Sequence, residues 1–215
     1  APIDPRLSTH QTGSNLQAWD AADRALLANV PPDAHDLTVL GARWGALTVS
    51  RAEAITVAWV DSAAGAHAMR ANHALLGADR PVPKIITDWS VMGEHAAESG
   101  GFIVRVSQSV AAFEWQLGWV CAAGAAGVPV WLAGLARTWS KGHTRVLAAQ
   151  LGPDVAIRGV GKARFAMGKI LPRPSNPVSS SHLVDPRALP WRQIPGPSDF
   201  VLSSLPGVFS HGAID

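Results

Sequence analysis

The chain has 215 residues, enough for one large domain or one and a half, and its 47% apolar content with a mean hydropathy of +0.13 allows a sizeable core. No apolar run reaches the length of a bilayer span, the first residues (Ala1-Pro2-Ile3-Asp4) lack a basic stretch followed by an apolar one, and a single cysteine excludes disulfides and a cysteine metal site, so a soluble, cytoplasmic protein is expected. The net charge is only +2, but residues 1–100 hold seven Lys/Arg against eleven Asp/Glu, whereas residues 101–215 hold eleven against five, an asymmetry that points to a polyanionic partner.

Residues 14–29 place Leu16, Trp19, Ala22, Leu26 and Leu27 at helical spacing, with Ser14 or Asn15 as N-cap and Pro31-Pro32 as the stop. Leu37–Leu40 reads as a short strand ending at Gly41, and Gly45 begins the next element. Ile55–Val60 is the second strand, and Ser62–Leu76 is its helix, closed by Gly77. Lys84–Asp88 and Phe102–Val106 are the third and fourth strands, and Ser109–Ala123 is a helix apolar almost all round. Within that helix Cys121 reads as a small buried apolar residue. Val128–Ala133 is the fifth strand and His143–Leu151 the last helix. Val155–Arg158 and Ala163–Met167, joined through Gly159 and Gly161, predict a terminal antiparallel pair.

Strands alternating with helices imply a mostly parallel α/β sheet covered on both faces. Val57–Asn72 is written as the second β-α unit of a Rossmann-like nucleotide-binding sheet: a buried strand, Asp61 at its carboxyl end, a tight turn and an Ala-rich helix. A terminal antiparallel hairpin is how class I methyltransferase sheets end, and dehydrogenase sheets usually end otherwise. Beyond Ile170 the texture changes. Residues 171–197 hold seven prolines and a Ser179-Ser180-Ser181 run, which reads as a linker after a domain over 1–170. Residues 198–215 read as the opening of a further domain, and the expectation is that the rest of it lies beyond Asp215.

The segments Leu16–Asp23, Gly45-Ala46-Leu47, Asp61–Asn72, Val106–Leu117, Leu151-Gly152-Pro153, Gly161–Arg164 and Leu205–Asp215, in this order and spacing, resemble the N-terminal half of bacterial rRNA guanine-N2-methyltransferases built from two tandem methyltransferase-like domains. The resemblance is nearer to the large-subunit rRNA type than to the small-subunit type, from the opening helix and the Lys162-Ala163-Arg164 element. The resemblance implies a degenerate class I methyltransferase sheet. It also implies that S-adenosylmethionine and an Asn-Pro-Pro-Phe loop belong to a C-terminal catalytic domain, and that this half recognises rRNA and steadies that partner domain.

A working cofactor loop needs glycines that let backbone approach the ligand. Gly41-Ala42-Arg43-Trp44-Gly45 keeps two, but Arg43 and Trp44 stand where an amino-acid moiety would lie, and an indole can fill such a pocket. Asp61 is placed for ribose hydroxyls and Asp88-Trp89 for an adenine edge. Gly41, Gly45, Asp61 and Asp88 are therefore vestigial cofactor candidates, and Asp61 and Ser62 read equally as helix caps. After the fourth strand stands Val106-Ser107-Gln108-Ser109, without the proline or aromatic that holds a flipped base. No catalytic residue is expected, and the eight histidines form no metal pattern. The RNA-binding candidates are Arg137, Trp139, Lys141, Arg145, Lys162, Arg164 and Arg173, with Trp139 as a stacking plane among the cations. Lys162 and Arg164 can instead pair with carboxylates of the second domain. Trp19, Trp59, Trp115, Trp119 and Trp131 read as core or interface, and Trp44, Trp89 and, as its other reading, Trp139 as covers of a vacated pocket. Two further functions stay open: a module sensing S-adenosylmethionine, and a scaffold without a ligand.

Overall fold

The computed structural model describes residues 19–75, 79–88 and 91–172, together with the backbone of 192–195 and 201–204. Seven strands form one sheet: β1 (Leu37–Leu40), β2 (Ile55–Trp59), β3 (Lys84–Ile86), β4 (Gly101–Arg105), β5 (Pro129–Leu135), β6 (Ile157–Val160) and β7 (Ala163–Lys169), in the order β3-β2-β1-β4-β5-β7-β6. The first five run parallel, and β7 lies antiparallel to both β5 and β6. The expected parallel sheet with its terminal hairpin is thus present. The strand order reverses between β1 and β4, and ligands of open α/β sheets enter at the carboxyl edge of that reversal.

Successive side chains of a strand point to opposite faces, and each face here carries its own apolar cluster. On one side Leu37, Val39, Ile103, Trp131 and Phe165 meet α1 (Ala21–Asn29), α2 (Ala46–Ser50) and α3 (Ala63–Leu75). On the other, Leu40, Val104, Leu132 and Ala166 meet α4 (Gly93–Ala96), α5 (Val110–Ala123) and α6 (Lys141–Leu151). The central strands β1, β4 and β5 are buried on both faces, which is why they read as nearly unbroken apolar runs, whereas β3 at the sheet's end opens on an exposed Lys84.

The start of α1 differs from the expected cap at Ser14 or Asn15, residues outside the described ones. Asp20 is the N-cap, with extended backbone, and its carboxylate accepts from the N–H groups of Ala22 and Asp23. Cys121 is half-buried rather than buried, and its Sγ donates to the Gln150 carbonyl at 3.7 Å. Most of the expected linker and the segment after it lie outside the described residues. Within them β8 (Arg192–Pro195) pairs antiparallel with β9 (Val201–Ser204), so part of the proline-rich stretch is a strand. Pro195 closes β8, where a missing N–H costs the ladder least. Among the described residues no helix is long and apolar enough to cross a membrane.

Phe113, fully buried, anchors α5 and has its ring centroid 5.6 Å from that of His143. Phe113→Ala is expected to lower unfolding free energy by about 3–5 kcal/mol in urea titrations. Exposed Val82→Ala should change it by less than about 0.5 kcal/mol.

Candidate functional site

The carboxyl edge between β1 and β4 is filled by the chain's own charges. Arg105, the last residue of β4, is 6% exposed. Its guanidinium donates two bonds to the Asp20 carboxylate, at 2.9 and 2.7 Å, and lies 2.5 Å from Asp23. The Asp23 carboxylate in turn accepts from the Asp20 N–H, closing a capping box at the start of α1. Arg43 adds a longer contact to Asp20, 3.7 Å. One arginine therefore fastens the first turn of α1 across the mouth of the sheet. Bidentate arginine–carboxylate geometry is the arrangement that best offsets the desolvation of such charges.

Burial pushes the Asp20 carboxyl upward, but the bonds and charge of Arg105, with the Ala22 N–H and Arg43, outweigh it and hold Asp20 below its ordinary 3.8. For the more deeply buried Asp23, burial and the neighbouring Asp20 charge outweigh Arg105, and its carboxyl is pushed above that value. Burial opposes the charge of Arg105, yet the two carboxylates hold its affinity for the proton above the ordinary arginine value.

The loop after β1 is pressed against protein on both sides. Gly41, Arg43 and Gly45 have positive φ. A Cβ on Gly41 would lie 3.2 Å from Arg105 Cβ, and one on Gly45 would lie 2.8 Å from Met69 Cγ. These glycines face the chain itself, not an open ligand space. Helix α3 holds the loop: Asn72 Nδ2 donates to the Trp44 carbonyl at 2.9 Å. Thr48 Oγ1 gives its proton to the Gly45 carbonyl, so the His73 Nε2–H donates to Thr48 Oγ1, at 3.0 Å. Trp44 is half-buried and packs with Trp19 against Ala46 and Val49. Of the two residues expected at this edge, Arg43 reaches the Asp20 carboxylate and Trp44 packs on α2, beside the Arg105 cluster. Asp61 and Asp88 stand exposed after β2 and β3. Ser62 caps α3, its Oγ accepting from the Gly65 N–H.

The other end of the edge is basic. Arg137 follows β5, Lys141 and Arg145 lie one turn apart on α6, Lys162 is in the β6–β7 turn, and Arg164 is on β7; all five are exposed. The Ala136 N–H donates to the Lys162 carbonyl at 2.9 Å, and Arg164 stands in register with Gly134, so the hairpin and the start of α6 come together. Arg173 and Trp89 lie outside the described residues. Trp139 is 6% exposed, its Nε1 donating to Thr144 Oγ1, so it belongs to the core and offers no stacking plane. Arg158 is turned to the opposite face, over the Phe165 ring and bonded to Asn29.

His143, 1% exposed, joins this rim to the loop after β4. Its Nδ1 accepts from the Ser140 N–H, so Nε2 carries the proton and donates to the Ser107 carbonyl at 2.9 Å. Ser109 caps α5 through the Ala112 N–H, and Gln108 is exposed between these ties. Among the described residues no group of three or more His, Cys, Asp or Glu is placed to hold a metal ion.

A family model described as the RLMG N-terminal domain matches residues 5–170. The ribosomal RNA large subunit methyltransferase G of Alcanivorax borkumensis is 30% identical, over 93% of this chain and 51% of that protein. The protein of the same name from Streptomyces coelicolor is 29% identical, over 82% of this chain and 46% of its own. The chain thus spans about half the length of the curated relatives it matches. Among solved structures, the T. thermophilus 16S rRNA N2 G1207 methyltransferase, bound to AdoMet and guanosine, superposes with a TM-score of 0.62 at 19% identity, over 99% of this chain and 52% of that one. A ribosomal protein L11 methylase from Lactobacillus delbrueckii gives 0.54 at 12% identity, over 69% and 77%. These likenesses show the fold, a Rossmann-like sheet of S-adenosylmethionine-dependent methyltransferases.

Two outcomes follow from the charges at the edge. Arg105→Leu strands the buried Asp23 carboxylate and the half-buried Asp20 one and is expected to cost about 3–5 kcal/mol at neutral pH. Asp23→Asn leaves Arg105 its two bonds to Asp20 and keeps an oxygen able to accept from it, and should cost less than Arg105→Leu; urea titrations compare the two. The second outcome concerns His73, 3% exposed, whose pKa is pushed below the ordinary 6.5 by burial and then by Arg80. The unfolded chain then binds the proton more readily. Stability from this group is complete above about pH 6.5 and falls as the pH drops below it. In thermal melts between pH 5 and 7, His73→Gln should flatten that decline.

Proposed function

Because the chain belongs to the RLMG N-terminal domain family, whose curated relatives are rRNA methyltransferases about twice its length, we propose that it is the substrate-docking half of an S-adenosylmethionine-dependent rRNA guanine-N2-methyltransferase. In this reading the other half of the protein holds S-adenosylmethionine and supplies the methyl group. This half performs no chemistry; it binds rRNA and carries the catalytic domain.

One observation carries the reading. The Arg105–Asp20–Asp23 cluster fills the edge where a cofactor enters this fold, while five exposed cations stand at the β5–β7 end of the same edge. The residues present do not fit a cofactor. The glycines that would let a ligand approach are in contact with Arg105 and Met69. Asp61 and Asp88, the ribose and adenine candidates of the sequence, are exposed after β2 and β3. After β4, Val106-Ser107-Gln108-Ser109 provides helix capping and the carbonyl that His143 holds, with no planar clamp for a base. Arg137, Lys141, Arg145, Lys162 and Arg164 are the proposed RNA contacts, joined by Arg173 on the strength of the sequence.

Titrating the chain with S-adenosylmethionine in a calorimeter should give no binding heat, while rRNA fragments bind with an affinity that falls with salt. Arg137→Ala with Lys141→Ala should flatten that dependence by about two charges' worth of counterion release. Binding heat abolished by Asp61→Ala would instead establish a cofactor-sensing module. Absence of both responses would leave a scaffold.

A further inference from the structure

Resting on that reading, we infer that the basic rim takes the phosphate backbone of double-helical RNA by shape and charge, without reading base sequence. Three features support this. The first is rigidity. Lys141 and Arg145 lie on one side of α6, separated by about 6 Å of helical rise. Lys162 and Arg164 lie on a tight hairpin turn and its strand. The Ala136–Lys162 backbone bond and the His143–Ser107 tie fix these supports to each other and to the sheet. The cations thus form two rows in a preset arrangement, suited to a stiff partner.

The second is the missing stacking surface. Single-stranded RNA is held chiefly by bases splayed onto exposed aromatic rings. Trp139, placed by sequence among the cations, is buried, and Phe165 lies beneath Arg158. Among the described residues every aromatic side chain of Phe or Trp is buried or half-buried; the half-buried Trp19 and Trp44 pack around α2, away from the rim, and the third half-buried ring, Trp115, is on α5. Such a surface neutralises phosphates, and among the described residues no fully exposed Phe or Trp ring stands beside the cations to hold an unstacked base.

The third is the division of charge along the edge. The exposed acids Asp61 and Asp88 stand at the β2–β3 end, and the five cations at the β5–β7 end. A polyanion is repelled from the first and drawn to the second, which confines the contact to α6 and the terminal hairpin.

The test uses the 215-residue chain and fluorescence anisotropy at several salt concentrations. The probes are a 20-base-pair RNA duplex, a second duplex of shuffled sequence, and the single strand of the first. The two duplexes are expected to bind equally, each at least about 5-fold more tightly than the strand. The expected salt slope is about −4, and Lys141→Glu with Arg164→Glu should reduce its magnitude by about two. Arg70→Glu, on the exposed side of α3, should leave binding unchanged and controls for a charge reversal away from the rim. Equal or tighter binding of the single strand, or a difference between the two duplexes, overturns the inference while leaving RNA docking standing. No salt-dependent binding to any probe overturns both, and assigns Lys162 and Arg164 to a protein partner instead.

Discussion

The molecule turns on one buried ion cluster. Arg105 ends the strand at which the sheet reverses its order, and its guanidinium binds both acids of the capping box of α1. The N-terminus of a helix is thereby fixed at the position where this fold elsewhere admits a ligand. The cluster fastens α1 onto the sheet, and Gly41 lies against Arg105, the Cβ nearest. A charge buried in this way is tolerable only while its partners stay in place. The closed edge and the folded state therefore depend on the same contact.

From that closure the rest of the surface acquires its meaning. With the β1–β4 crevice shut, the loop after β1 becomes a packing element, held by Asn72 and by the His73–Thr48 pair. The loop after β4 becomes a ledge, capped by Ser109 and tied by His143 to the start of α6. The activity proposed for this half moves to the far end of the edge, where exposed lysines and arginines have no buried work to do.

Much of the fold was legible in the sequence because it is a fold of buried parallel strands. Each of β1, β2, β4 and β5 is an apolar run closed by a polar residue or glycine, and Ser62 and Ser109 mark their helices. The cluster at the centre was not legible. Asp20 and Arg105 are 85 residues apart, and neither stands in a pattern that demands a charged partner. Gly41 and Gly45 misled in an instructive way: a positive φ is needed both by a loop that cradles a ligand and by one packed against an arginine. Trp139 had the neighbours of a stacking residue, yet an indole beside lysines in sequence can turn inward, and this one does. The five cations could be counted along the chain; that they converge required the register of β5 with β7.

The most direct test is amide chemical-shift mapping of the labelled chain, titrated separately with S-adenosylmethionine and with duplex RNA. The account predicts unmoved Gly41, Gly45 and Asp61 amides with the nucleoside, and with RNA shifts confined to residues 137–145 and 162–164. Saturable shifts at Gly41 and Gly45 on adding S-adenosylmethionine would contradict it.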